Sequence, residues 1–193
     1  MSQIIQQQDM IIEEMKLKSA MRDRKIYFNE EVTRDSVFKI VHLLDKIVKL
    51  DKEENKKDDI EIILDCEGGD IYSGLSLASK IIHLKEVGYK VNITVNSIAM
   101  SMAFLFVAIG SKRSAYKYAT LMIHQPNAGT WGRLQDIQED VDEFCRTWDL
   151  YKKIIKENTK ITDVELERLK KEKRDWYMDA ETALKYGVID EII

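Results

Sequence analysis

Residues 91–110, VNITVNSIAMSMAFLFVAIG, join a β-branched run to an apolar segment. The run at 91–95 is typical of a strand, and the apolar residues 102–109, which end at Gly110, are typical of a buried helix. Ser101 therefore lies at a predicted corner between a strand and a helix. A helix N-terminus carries unpaired backbone N–H groups and the positive end of the helix dipole, which favour a developing oxyanion. A serine at this corner is well placed to act as a nucleophile.

The segments around this corner predict an α/β fold. Residues 60–66 and 91–95 are predicted strands, and the stretch 71–85 between them is a predicted helix, so that the three form a βαβ unit. An apolar stripe that begins after Thr33 predicts another helix. The charged run 51–59 that follows it predicts a solvated loop.

Two more helices are predicted near the C-terminus. Thr162 and Glu165 have the spacing of a capping box, and Asp179 can cap a helix that stops at Gly187. With 193 residues, of which 45% are hydrophobic, the chain can bury the core of a single domain.

The overall composition gives no sign of a nucleic-acid or membrane partner. The formal net charge is −4, and no apolar stretch is long enough to span a bilayer. The N-terminus lacks the pattern of a secretory signal. Cys66 and Cys145 lack metal-ligand spacing and are expected to be reduced thiols in a cytoplasmic protein, with no metal and no cofactor in this chain.

Two residues downstream of Ser101 complete a candidate catalytic set. The chain has three histidines, and His42 and His83 fall within amphipathic helical patterns, so His124 is the best candidate for a base. Asp175 could orient its ring, although it could equally form a solvated ion pair with nearby lysines. Each of the three residues alone has an ordinary structural explanation, and the combination favours catalysis.

Four motifs in order resemble the ClpP family, the proteolytic subunits of the Clp protease (serine peptidase family S14). They are Glu-Gly-Gly at 67–69, Ser-Met-Ala-Phe at 101–104, Met-Ile-His-Gln-Pro at 122–126, and Ala-(x)6-Gly-Val-Ile-Asp at 180–190. The resemblance covers most of the chain, from about Arg24 to the end. It implies one peptidase domain over residues 24–193, preceded by an N-terminal segment of residues 1–23 that serves as an axial loop or a propeptide.

The resemblance also implies a fold and a set of roles. The fold would be a ClpP/crotonase-like spiral of repeated ββα units with a protruding handle helix at about 134–157. Ser101 would attack the peptide carbonyl, His124 would act as the base and Asp175 would orient it. The backbone N–H groups of Gly69 and Met102 would form the oxyanion hole.

A heptad-like stripe lies where the resemblance implies the handle helix. Its apolar members are spaced alternately by three and four residues; they are Leu134, Ile137, Val141, Phe144, Trp148, Tyr151 and Ile155. The residues alone are also consistent with a long core helix. The resemblance favours a helix through which two heptameric rings of identical subunits dock, so that fourteen subunits enclose a chamber. Such a chamber would degrade peptides or unfolded proteins delivered by a hexameric AAA+ unfoldase, which would use the ATP.

The chain departs from the family pattern in places, and two other functions are open. Cys66 and Glu67 replace the usual Ser-Pro before the two glycines, which adds a charge to the loop. Ser97 occupies the place of a glycine and is a second nucleophile candidate, but the flanking methionine and Gly110 favour Ser101. The alternatives are a catalytically silent ring subunit and a crotonase-type acyl-CoA enzyme.

Overall fold

The computed structural model describes Met15 and residues 18–193. Seven strands form one mainly parallel sheet; they are β1 (Lys25–Phe28), β2 (Ile60–Cys66), β3 (Val91–Met100), β4 (Arg113–Ala115), β5 (Thr120–Ile123), β6 (Trp176–Asp179) and β7 (Glu191–Ile192). The helical residues 18–23 are called α1. The helices that follow are α2 (Arg34–Glu54), α3 (Ile71–Glu86), α4 (Met102–Ile109), α5 (Leu134–Asn158), α6 (Asp163–Glu172) and α7 (Ala180–Lys185). A mixed α/β fold is therefore confirmed.

The predicted βαβ unit is the centre of the sheet. β2 and β3 pair in parallel with α3 as the crossover, and β1, β4 and β7 extend the order to β1-β2-β3-β4-β7. β2 has the predicted bounds, whereas β3 runs five residues beyond the predicted end at Val95. The first part of β3 pairs with β4 and its last part pairs with β5, to which β6 adds in antiparallel orientation. The sheet therefore branches along β3, and Met100, the last residue of β3, pairs with β5.

The helix signals in the sequence are confirmed. Thr33 caps α2, since its hydroxyl accepts a hydrogen bond from the Ser36 N–H at 3.1 Å. Glu165 accepts from the Thr162 N–H at 2.8 Å at the start of α6, and Asp179 accepts from the Thr182 N–H at 2.8 Å at the start of α7. Every residue of α4 is buried. The strand-to-helix corner is therefore anchored in the core.

The prediction of a solvated loop at 51–59 was wrong. α2 continues to Glu54, so only residues 55–59 connect it to β2. The Asp51 side chain is fully buried and accepts two hydrogen bonds from the Arg24 guanidinium, at 2.7 and 2.8 Å. Arg24 also donates to the backbone carbonyls of Asp58 and Asp59. The arginine therefore neutralises the buried carboxylate and also binds the connection 55–59, which the charge pattern alone does not reveal.

The stripe on α5 divides into two halves. Trp148, Tyr151 and Ile155 are buried in the core, as the core-helix interpretation expected. In the other half, 85% of Leu134 and 42% of Val141 are exposed. α5 thus anchors its C-terminal half on the domain, while the stripe residues of its N-terminal half are half-buried or exposed within the described part of the chain.

The N-terminal segment of residues 1–23 lies largely outside the described residues, and its role as an axial loop or propeptide stays a prediction. Ala20, within α1, is buried, and Met21 packs against the core. None of the helices described for residues 18–193 is long and apolar enough to cross a membrane.

Candidate active site

Ser101 occupies the predicted corner between β3 and α4. Its backbone has φ 54° and ψ −119°, a conformation that residues other than glycine rarely adopt. Its N–H donates to the Met122 carbonyl at 2.8 Å, which ties the corner to β5. A strained backbone at a helix N-terminus, held by tertiary contacts, is a frequent arrangement for a reactive side chain.

The pairing of β3 with β5 brings His124 to Ser101. Met100 pairs with Met122, so the residues just beyond these two strands, Ser101 and His124, lie next to each other. His124 Nε2 is 2.9 Å from Ser101 Oγ, a hydrogen-bond distance. The imidazole side chain is 24% exposed, so it remains accessible to a substrate.

Asp175 reaches the other nitrogen of the same ring. β6 pairs with β5 in antiparallel orientation with Ile123 opposite Trp176, which places residue 175 opposite residue 124. Asp175 Oδ1 lies 3.7 Å from His124 Nδ1, within ion-pair range and longer than a hydrogen bond. Half of the Asp175 side chain is exposed. Within residues 18–193, the basic group within 4.0 Å of the Asp175 carboxylate is the His124 ring, and no neighbouring lysine comes that close.

The turn with two glycines lies against Ser101 from the end of β2. A Cβ atom added at Gly68, whose φ is 101°, would come within 2.7 Å of Ser101 Cβ and of the Met100 carbonyl. Only glycine allows the loop to approach the corner this closely. The Gly68 carbonyl accepts from the Val32 N–H at 2.7 Å. Because a trans peptide is planar, the N–H of Gly69 in the same peptide unit points the opposite way.

The two N–H groups expected to form an oxyanion hole are both free to donate. Met102 is the first residue of α4, so its N–H has no acceptor within the helix. Among the hydrogen bonds of the described residues, neither the Met102 N–H nor the Gly69 N–H has an acceptor. Unpaired N–H donors at the start of α4 and in the turn that packs against Ser101 are groups of the kind that can bind the oxygen of a tetrahedral intermediate.

The other candidate groups lie apart from this chemistry. Ser97 is exposed within β3, four residues before the corner, and His124 contacts Ser101 instead. Cys66 is buried, accepts a hydrogen bond from the Gly68 N–H at 3.3 Å, and its thiol pKa is raised by burial. His42 and His83 lie on α2 and α3, as predicted. In residues 18–193 no three of His, Cys, Asp and Glu are grouped so that they could hold a metal ion.

Carboxylates line a cleft beside the glycine turn. A cleft of about 500 Å³ runs beside Gly68 and Gly69, and its charged lining residues are Glu30, Glu31, Asp65 and Glu67. Glu67 is exposed there, so the extra charge that the sequence places in this loop reaches the surface next to the candidate site.

One contact to Ser101 had no signal in the sequence. The Tyr151 hydroxyl on α5 donates to the Ser101 carbonyl at 2.9 Å. Tyr151 belongs to the apolar stripe of α5, and a periodic pattern does not reveal that a member also carries a hydrogen bond to a residue fifty positions away. This contact joins the long helix to the candidate nucleophile.

Comparison with known proteins identifies a family. A family model described as Clp protease matches residues 8–193. ATP-dependent Clp protease proteolytic subunit 1 of Prochlorococcus marinus subsp. pastoris is 32% identical over 176 residues, which cover 90% of this chain and 85% of that protein. Proteolytic subunit 2 of a Synechococcus species is also 32% identical, with 90% and 84% covered. The Clp protease proteolytic subunit of Deinococcus radiodurans is 30% identical, with 90% and 81% covered. The chain therefore belongs to the Clp protease family.

Proposed function

We propose that the chain is a serine endopeptidase that hydrolyses peptides and unfolded polypeptides through Ser101, His124 and Asp175. The observation that carries the proposal is the 2.9 Å contact between Ser101 Oγ and His124 Nε2. Membership of a family whose relatives are named proteolytic subunits supports it.

The reaction follows from these positions. Ser101 Oγ attacks the carbonyl carbon of the scissile bond as its proton moves to His124 Nε2. The carbonyl oxygen becomes an oxyanion that accepts hydrogen bonds from the Gly69 and Met102 N–H groups. The C–N bond then breaks, and the leaving amine takes the proton from His124. Water, deprotonated by His124, then attacks the acyl carbon; the bond to Ser101 Oγ breaks, the acid leaves, and His124 returns the proton to Ser101 Oγ.

Hydrolysis of a short fluorogenic peptide amide by the purified, assembled protein tests this proposal. We expect turnover that saturates with peptide concentration and stops after treatment with a serine-directed inhibitor. An assembled protein that releases no product above the rate in buffer would contradict the proposal and would favour the catalytically silent ring subunit.

Asp175→Asn is expected to lower kcat by roughly 10² to 10³-fold with little change in KM. Asparagine keeps the size of the side chain but removes the charge that favours a protonated imidazole, so the imidazolium formed in the transition state is less stable. We expect a smaller fall in kcat than the roughly 10⁴-fold known for a buried triad aspartate, because Asp175 is half exposed and 3.7 Å from the ring. Asp149→Asn, on the exposed face of α5, is the matched control, and steady-state kinetics measure both. Equal rates for wild type and Asp175→Asn would remove Asp175 from the proposed triad.

We further propose that the N-terminal half of α5 docks two heptameric rings of this chain, and that a hexameric AAA+ unfoldase with its own ATP delivers substrates. Leu134 and Val141 are exposed on one stripe of a helix whose other half is anchored in the core. An isologous contact between two such helices would cover both stripes at once. We place this assembly in the cytoplasm, with no nucleic-acid or membrane partner.

Leu134→Asp combined with Val141→Asp is expected to halve the mass of the assembled particle, because each docked pair of helices would bury four new charges, two from each helix. Sedimentation velocity at constant protein concentration measures the mass. Val164→Asp is the control, since Val164 is 77% exposed on α6. A double variant that sediments like the wild type would show that the rings do not dock through this stripe.

A further inference from the structure

Tyr151 is a buried residue of α5 that contacts the candidate nucleophile. It is 6% exposed, and its ring stacks on Trp148 with centroids 5.6 Å apart. Its hydroxyl donates to the Ser101 carbonyl at 2.9 Å, and the Phe104 N–H donates to the same oxygen at 3.1 Å. Burial raises the pKa of the Tyr151 hydroxyl, so the proton needed for this bond stays in place at neutral pH and above.

The Ser101 carbonyl and the Met102 N–H belong to one peptide unit. This unit is planar and trans, so the N–H points away from the carbonyl oxygen. The residue that precedes it, Ser101, has φ 54°, a conformation that persists only when its surroundings hold it. A hydrogen bond that fixes the carbonyl oxygen therefore also fixes the direction of the Met102 N–H.

The other expected oxyanion donor is held in the same way. The Gly68 carbonyl accepts from the Val32 N–H, which directs the Gly69 N–H of that peptide unit to the opposite side. Each carbonyl that accepts a hydrogen bond also polarises its own peptide and makes the N–H a better donor. In both cases, a hydrogen bond to the carbonyl oxygen fixes the peptide unit that carries the N–H donor.

We propose that Tyr151 is a positioning residue whose hydroxyl holds the Ser101–Met102 peptide so that the Met102 N–H points at the developing oxyanion. This inference rests on the proposed peptidase function. It assigns a role to the C-terminal half of α5 that packing alone would not require, since phenylalanine would fill the same space.

Tyr151→Phe tests the inference because it removes only the hydroxyl and keeps the ring that stacks on Trp148. On the assembled protein, we expect kcat for a peptide amide to fall about 10-fold with KM unchanged, less than the loss seen when an oxyanion donor is removed outright. We also expect the inhibition constant of a peptide boronic acid, which forms a tetrahedral adduct with serine, to rise by a similar factor. Tyr89→Phe is the control, because it removes the hydroxyl of another buried tyrosine, which lies at the opposite end of β3, and it should change neither quantity.

The outcomes separate this inference from the proposed function. Wild-type hydrolysis with unchanged kcat in Tyr151→Phe would overturn the inference and leave the peptidase function intact. A fall in kcat without weaker boronate binding would also overturn it, because the hydroxyl would then act at another step. A wild-type protein that hydrolyses nothing would overturn the proposed function, and the inference with it.

Discussion

Ser101→Ala is expected to lower kcat for a peptide amide by about 10⁴-fold or more, since loss of the nucleophile removes the acyl-enzyme route entirely. KM should change little because alanine leaves the cleft and the two backbone N–H donors in place. A small residual rate, from the oxyanion hole and binding alone, is expected to remain. Steady-state hydrolysis measured on particles of verified assembly gives both constants.

Ser97→Ala is the matched control for this variant. Both changes remove one serine hydroxyl, at positions four residues apart, but Ser97 is an exposed residue of β3, and His124 contacts Ser101. We expect wild-type kinetics from it. If Ser97→Ala were inactive and Ser101→Ala active, the nucleophile would have been assigned to the wrong serine.

Asp51→Asn is expected to destabilise the fold by about 3 kcal/mol, because it leaves the Arg24 guanidinium without its counter-charge in a largely buried site. The Arg24 side chain is 15% exposed and that of Asp51 is fully buried. The two planar groups face each other through paired hydrogen bonds, a geometry that asparagine cannot reproduce. The midpoint of urea unfolding, at unchanged slope, reports the loss.

Two further variants sharpen this test. Lys39→Ala breaks an ion pair with Glu30 in which both side chains are 52% exposed, and it should leave the midpoint unchanged. Replacing both partners, Arg24→Met with Asp51→Leu, should recover most of the lost stability, since no buried charge then lacks a partner. A midpoint for Asp51→Asn equal to that of the wild type would mean that the fold does not need the Asp51 charge to stabilise the buried Arg24.

The sequence predicted the parts of the fold that depend on local patterns. The bounds of β2 and α4, the start of α2 after Thr33, and the caps at Thr162 and Asp179 follow from periodicity and from side chains within three residues of the helix ends. The corner at Ser101 could be located for the same reason. His124 could be named as the base because the chain offers only two other histidines, both within helical patterns.

The features that escaped prediction depend on contacts between distant residues. The run at 51–59 is uniformly charged, so nothing local indicates that Asp51 faces inward to meet Arg24, 27 positions earlier. Asn96 and Ser97 interrupt the apolar pattern of β3, yet the strand continues because β5 supplies a partner. Tyr151 fits the stripe of α5 as well as any apolar residue does, and only the packing of α5 against α4 brings its hydroxyl to Ser101.

Covalent labelling by a fluorophosphonate probe tests the central claim most directly, because the probe reacts with an activated serine and not with an ordinary hydroxyl. The assembled wild type, Ser101→Ala and Ser97→Ala are incubated with the probe, and the intact mass of each chain is measured. We expect one added probe on the wild type and on Ser97→Ala, and none on Ser101→Ala. Labelling of Ser101→Ala, or an unlabelled wild type in verified assembled form, would contradict the claim that Ser101 is the nucleophile.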